Sequence, residues 1–213
     1  MKKMLLMAVI AGAAITTADA QVSFGPRVGV NFANYSNVDD SKSKTGFLVG
    51  AVANFGMNDL LSIQPEVLYS QGGFKMEDDG DKYTLATNYL QVPVLLKAGF
   101  GDGNLKFHAN VGPYVGYWLS GKEKMEFDGE SESESYEFDD DDADGSKDNR
   151  LDVGILAGVG LGIPTGAGTF NIDLRYGLGM SDMTSWKDDR PDGVDKVSNR
   201  VLSLSVAYMF GGN

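Results

Sequence analysis

Cysteine is absent from this chain of 213 residues. That excludes a disulfide framework, a lipid-modified N-terminal cysteine and a thiolate metal site. Histidine occurs once, at His108, too sparse for a zinc centre of the usual kind. Lysine and arginine number 18 against 30 acids, for a formal charge of −12, and such a balance repels the phosphates of nucleic acid. Apolar runs long enough for a transmembrane helix are also missing. Leu5 to Ile15 and Gly154 to Ile163 both fall short of the roughly 20 residues that a bilayer requires. If the chain enters a membrane, it must do so as strands.

What is present begins with an export signal. Lys2 and Lys3 form a basic start, Leu5 to Ile15 an apolar stretch, and Ala18-Asp19-Ala20 a small-x-small site, so cleavage is expected between Ala20 and Gln21. The expected domains are a signal peptide over 1–20 and a single barrel over 21–213. Beyond the signal, eight segments alternate large apolar residues with small or polar ones: 22–35, 45–55, 60–71, 88–100, 104–119, 150–163, 169–181 and 199–210. On the first, Phe24, Val28, Val30 and Phe32 oppose Gly25, Arg27, Gly29 and Asn31. On the sixth, Val153, Ile155, Ala157, Val159 and Leu161 oppose Asp152, Gly154, Gly158 and Gly160. This period of two predicts half-buried strands.

Residue size decides which face lies outside. A water-exposed face would carry Lys, Glu and Thr, and glycine there would only weaken the strands. Here the polar face is rich in glycine, serine and asparagine, which suits the narrow interior of an eight-stranded barrel. The bulky face is then outside, where lipid tolerates it. Aromatic placement agrees: Phe24, Phe55, Phe100, Phe107, Phe170 and Phe210 fall near one rim, while Phe32, Phe47, Tyr69, Tyr117 and Tyr176 fall toward the other, as two interfacial girdles would. The connections alternate short (56–59, 101–103, 164–168) with long and polar (36–44, 72–87, 120–149, 182–198). The expected fold is an all-β, eight-stranded antiparallel up-and-down transmembrane β-barrel. It would sit in the outer membrane of a Gram-negative bacterium, with both termini periplasmic. Pro26, Pro65, Pro93 and Pro113 fall inside the strands, where a closed barrel has no free edge for them, so bulges or strand ends are expected to absorb them.

The phrases Ser62-Ile63-Gln64-Pro65-Glu66-Val67-Leu68-Tyr69-Ser70-Gln71 and Tyr89-Leu90-Gln91-Val92-Pro93-Val94-Leu95-Leu96-Lys97 resemble the PorT-like outer-membrane β-barrel family. So do Gly112-Pro113-Tyr114-Val115-Gly116, Asp173-Leu174-Arg175-Tyr176-Gly177-Leu178-Gly179 and Asn199-Arg200-Val201-Leu202-Ser203-Leu204-Ser205. The resemblance implies a small barrel that carries proline on its third and fourth strands, with one branch engaged in protein secretion. Phe210 resembles the C-terminal aromatic that barrel-assembly machinery recognises, although it stands three residues before the end. The partners so implied are outer-membrane lipid, the assembly machinery, and an extracellular ligand or secretion partner.

Arg27, Glu66, Lys97, Lys106, Asp152, Asp173 and Arg175 point inward by parity, with His108. Charges inside a narrow barrel must be paired or hydrated. A network centred on Glu66, Asp173, Arg27 and Arg175 is therefore expected to fill the lumen, in preference to a charge-lined pore. His108 has no serine one step away on its face, with Ser120 twelve residues on, so no wall-embedded hydrolase is expected. The leading expectation is a non-enzymatic barrel with a structural or surface-binding role. A secretion-system component and a soluble periplasmic ligand-binding barrel are the alternatives.

From Lys122 to Asp148 thirteen acids face three lysines, a composition that resists packing. Within it Asp140, Asp142, Asp144, Gly145 and Asp148 match positions 1, 3, 5, 6 and 9 of a calcium loop, with Leu151 where the bidentate Glu would stand. A solvated acidic run and a Ca2+ site are both consistent with this pattern. Isothermal titration of calcium into refolded protein separates them. A true site gives saturable heat that disappears when Asp140, Asp142 and Asp144 become Asn, whereas a solvated run gives indistinguishable heats.

Overall fold

The computed structural model describes residues 21–38, 40–78, 81–101, 103, 105–127, 130–138, 146–186 and 193–211. The expected signal peptide, with Ala20 at its end, lies outside them. Eleven strands are described: β1 (Val22–Tyr35), β2 (Ser41–Gly56), β3 (Leu61–Asp78), β4 (Asp81–Phe100), β5 (Lys106–Phe127), β6 (Glu130–Ser135), β7 (Ser146–Asp148), β8 (Leu151–Thr165), β9 (Gly168–Gly179), β10 (Thr184–Trp186) and β11 (Asn199–Gly211). Eight of them, β1–β5, β8, β9 and β11, pair antiparallel with their sequence neighbours, and β1 pairs with β11 to close the ring. Closure leaves no strand edge in the ring, which is what lipid demands of a spanning sheet.

The bulky face is the outer one. Phe24, Val28 and Val159 are each more than half exposed, at 62%, 55% and 59%, whereas Arg27 between the first two is 1% exposed. This outward apolar surface excludes a barrel standing in water. The two girdles form across strands: Phe24 lies 6.2 Å from Phe210 and Phe170 4.6 Å from Tyr208 at one rim, and Phe47 lies 5.8 Å from Tyr69 toward the other. Phe24 to Phe32 spans nine residues, matching the length of a tilted strand that crosses hydrocarbon. The interior is less uniformly small and polar than expected. Leu48, Val52, Leu68, Leu95, Leu156 and Met209 turn inward and are buried, because their strands are apolar on both faces at those points.

Several expected loops are strand. The segment 72–87 continues the β3–β4 ladder up to the pair Asp78–Asp81. Segment 36–44 gives up Ser41–Lys44 to β2, and 120–149 contains the end of β5 together with β6 and β7. Past the membrane the outward row of these strands turns polar, at Lys75, Glu77, Lys82 and Thr84, so the outward apolar stripe ends while backbone pairing continues. The result is an extension, β2–β3–β4–β5–β6, standing beyond the outer girdle. Its inner face buries Tyr35, Phe74 and Leu85, packed with Met76, Tyr83, Tyr136, Met183 and Val197. A short β7–β10 ladder joins the two long connections beside it.

Pro26, Pro65, Pro93 and Pro113 all lie within strands, and their neighbourhoods show gaps in the ladders. Pairing skips from Phe24–Phe210 to Arg27–Ala207 and from Pro93–Tyr114 to Leu96–Val111, with the register unchanged across each gap. The expected bulges are elsewhere, between Ser43 and Leu48 and between Asn88 and Tyr89. A lost donor therefore interrupts the hydrogen bonding locally without shifting the strand.

On the outer face of the extension Lys42 donates to Glu77 at 2.5 Å and Lys124 to Glu126 at 2.5 Å. Hydrogen bonding and attraction from Lys42 hold the Glu77 carboxyl below its ordinary range. The stabilisation from a depressed carboxyl is present above its unfolded-state pKa and is lost as pH falls through the folded value. A carbon-detected NMR titration should find the Glu77 midpoint depressed and returned toward normal in Lys42→Gln. An unchanged midpoint in that variant would remove Lys42 as the cause.

Candidate functional site

The lumen is where the chemistry-bearing side chains converge, because parity on five different strands sends them to the same axis. Arg27 on β1 donates to Asp173 on β9 at 2.8 Å and to Ser205 on β11 at 2.7 Å. Arg175 on β9 donates to Glu66 on β3 at 3.0 Å and reaches Asp173 at 3.4 Å. From β5, His108 Nε2 lies 2.9 Å from Asp173 Oδ1 and Asn110 donates to that oxygen at 3.0 Å. Gln64 donates to Glu66 at 2.6 Å, and Arg27 Nε stands 3.6 Å from Glu66 Oε2. Two guanidinia and two carboxylates thus balance within a fully buried layer that ties opposite walls of the barrel together. Such a layer is satisfied only while every partner is present.

Glycine makes the room. A Cβ on Gly158 would come 2.6 Å from Arg175 Cγ, and one on Gly160 would come 2.4 Å from His108 Nε2. The glycine row on β8 is therefore the floor on which the arginine and the imidazole lie, at distances no larger residue permits.

Three of the charged residues expected in one network go elsewhere. Lys97 sits one layer nearer the short-turn end and donates to Asn171 at 3.1 Å. Lys106 is exposed at that rim, since it opens β5 and its long side chain reaches water. Asp152 belongs to a second cluster toward the opposite end, accepting from Tyr114 at 3.1 Å, Asn199 at 2.8 Å and Ser181 at 3.0 Å. A cavity of about 40 Å3 separates the two clusters, bounded by Arg27, Arg175, Tyr114, Asp152 and Asn199. Sequence reasoning did not single out Gln64, Tyr114, Asn199 or Ser205, although each shares the inward parity of its strand, which was the available signal.

Above these layers the far mouth is closed by aromatic packing. Trp118 is buried with Tyr136 and Phe138 at 4.9 Å each and Tyr89 at 6.2 Å. The Arg150 guanidinium lies 4.0 Å from the Phe138 ring centre and 4.9 Å from that of Tyr117. Of the residues matched to a calcium loop, Asp140, Asp142 and Asp144 lie outside the described residues. Asp148 is described, and both its carboxylate oxygens accept from the Tyr136 hydroxyl at 3.0 Å.

The chain matches the family model of the outer membrane protein beta-barrel domain over residues 17–185, well over half its length. It belongs to that family. It is accordingly an integral β-barrel of the outer membrane. Among solved structures it is similar to Ail, the attachment invasion locus protein of Yersinia pestis, crystallised with the heparin analogue sucrose octasulfate, at 15% identity, covering 89% of this chain and 99% of that one with a TM-score of 0.42. It is similar also to OprG of Pseudomonas aeruginosa, at 15% identity, 90% and 94% coverage and a TM-score of 0.47. Neisserial surface protein A is a third, at 15% identity, 89% and 96% coverage and a TM-score of 0.39. No curated protein matches the sequence.

Removing the shared carboxylate tests the layer. Asp173→Ala leaves two buried guanidinia short of a counter-charge and is expected to lower folding stability in micelles by about 3–5 kcal/mol. Urea titration followed by tryptophan fluorescence, from Trp118 and Trp186, reads this. The exposed Glu77→Ala serves as the control and is expected to leave stability nearly unchanged. Equal shifts in the two variants would refute the layer's role.

Proposed function

We propose that this barrel is non-enzymatic and closed to solutes, and that it holds its β2–β6 extension outside the cell as a binding surface. Both chain ends then face the periplasm. The observation that carries the reading is the layer of Arg27, Glu66, Asp173 and Arg175 across the lumen, with the Trp118 and Phe74 clusters stacked above it. Permeation would require breaking ion pairs inside a low-dielectric wall, and ions and polar solutes gain nothing there to offset that cost. The commitment of His108 Nε2 to Asp173 supports a positioning role for the imidazole rather than proton transfer to a substrate. Within the family, Gln64-Pro65-Glu66 and Gln91-Val92-Pro93 support a PorT-like relationship. Outward-facing Phe210 supports insertion by the barrel-assembly machinery.

The connections support this orientation. One end carries tight turns such as Met57–Leu61, where the Asn58 side chain accepts from the Leu60 and Leu61 amides at 3.0 and 2.8 Å. The other carries the extended sheet and long connections, the arrangement of periplasmic turns and extracellular loops.

Two measurements test this reading. Purified protein in planar bilayers is expected to show no regular conductance steps, and discrete steps that scale with salt would overturn the closed lumen. Protease added to intact cells is expected to cut within 120–149. Cleavage only after the outer membrane is permeabilised would reverse the orientation.

A further inference from the structure

The short-turn end of the barrel opens into a vestibule of about 200 Å3, lined by Lys97 and Lys106 against one acid, Asp59. The lumen layer above it uses up its carboxylates: Asp173 and Glu66 are each shared by Arg27 and Arg175. Lys97 is a third inward cation with no third carboxylate to meet it. Its ammonium crosses the lumen to Asn171 Oδ1 at 3.1 Å, one neutral partner for three donors. Lys106 lines the same space from the rim. Among the described residues no carboxylate oxygen lies within 4.0 Å of either lysine. Ser62, Asn54 and Gln64 add neutral polar groups to the walls.

An ammonium so placed, inside low-dielectric walls and open at one end, draws a counter-ion from solution. From these observations we infer that the vestibule is an anion-binding site for a phosphate-sized oxyanion, with Lys97 as the principal donor, Lys106 as the second cation and Asn171 holding Lys97 in place. The anion reaches it from the short-turn side, because the Arg27–Asp173 layer blocks the other. Rows of neutral small residues leave open volume here where the layer above is filled, so the cation and the space coincide. The site goes beyond the proposed surface role, and it can fail while the closed lumen and the orientation both stand.

His108 makes the test direct. It is the only histidine, it lines the vestibule, and its imidazole resonances report the site without assignment of the rest. The full mature chain, labelled at histidine and folded in phospholipid-free detergent, is titrated with inorganic phosphate at fixed pH and ionic strength. The expected result is a saturable shift, at least tenfold weaker in Lys97→Met and several-fold weaker in Lys106→Gln. Lys122→Gln, on the extracellular extension, is expected to leave it unchanged. Gel mobility of unheated samples confirms that each variant is folded, and the exposed Lys106→Gln keeps the test open if Lys97→Met does not fold. In nanodiscs of phosphatidylglycerol, a response to phosphate identifies the free ion as the source, and its loss identifies a lipid headgroup that already fills the site. A shift that grows linearly without saturating, or one of equal midpoint in the wild type and both vestibule lysine variants, would overturn the inference.

Discussion

The carboxylate of Asp173 meets Arg27, Arg175, His108 and Asn110, and through them three strands, β1, β5 and β9, are joined at one point. A charge that deep is costly unless fully paired. The requirement runs both ways: the carboxylate needs the guanidinia, and the guanidinia need Asp173 and Glu66. Much of the interior follows from it. Gly158 and Gly160 are bare because Arg175 and His108 occupy the space where side chains would be. Ser205 and Gln64 add one hydrogen bond each, while Arg27 Nε, Arg175 Nε and Asn110 Oδ1 have no hydrogen-bond partner. The layer divides the lumen into a small upper cavity and an open lower vestibule.

The membrane imposes the complementary constraint. Lipid offers no hydrogen bonds, so the sheet must close on itself. Once it has closed, every strand shows one face to hydrocarbon and the other to a space too narrow for bulk water. The same parity that sends Phe24, Val28 and Val159 outward sends Arg27 and Asp173 to the axis. Above the outer girdle that constraint lapses. There β2 to β6 continue as a sheet that is not closed on the β8–β11 side, covered on its inner face by Phe74, Leu85 and Tyr136 and decorated outside by Lys42, Glu77, Lys82 and Glu126.

What could be read from the chain alone tracks this boundary. Within the membrane the alternation is strong, because each position is either lipid-facing or lumen-facing, and β1 was legible to its ends. Outside it the pattern inverts: Phe74, Met76, Tyr83 and Leu85 form an apolar inner row and the outward row turns polar, so the lipid-facing signal is lost. Lys75, Thr84 and Lys124 pair in one ladder row, yet nothing in their hydropathy distinguishes them from a loop. The prolines misled in the same way. Pro26 and Pro93 suggest bulges, but closure holds the register across each missing donor.

Parity therefore determined, from sequence alone, which charges lie inside the barrel, and size determined that the glycine side is the inner one. Parity fixes only a face, however, and says nothing of height along the axis or of partners across it. The shear and tilt of the closed sheet decided that Asp152 stands with Tyr114 and Asn199, one layer away from Asp173, and that Lys106 emerges at the rim. The same closure left Lys97 opposite Asn171 without an acid, because strands distant in sequence meet across the lumen only once the ring has formed.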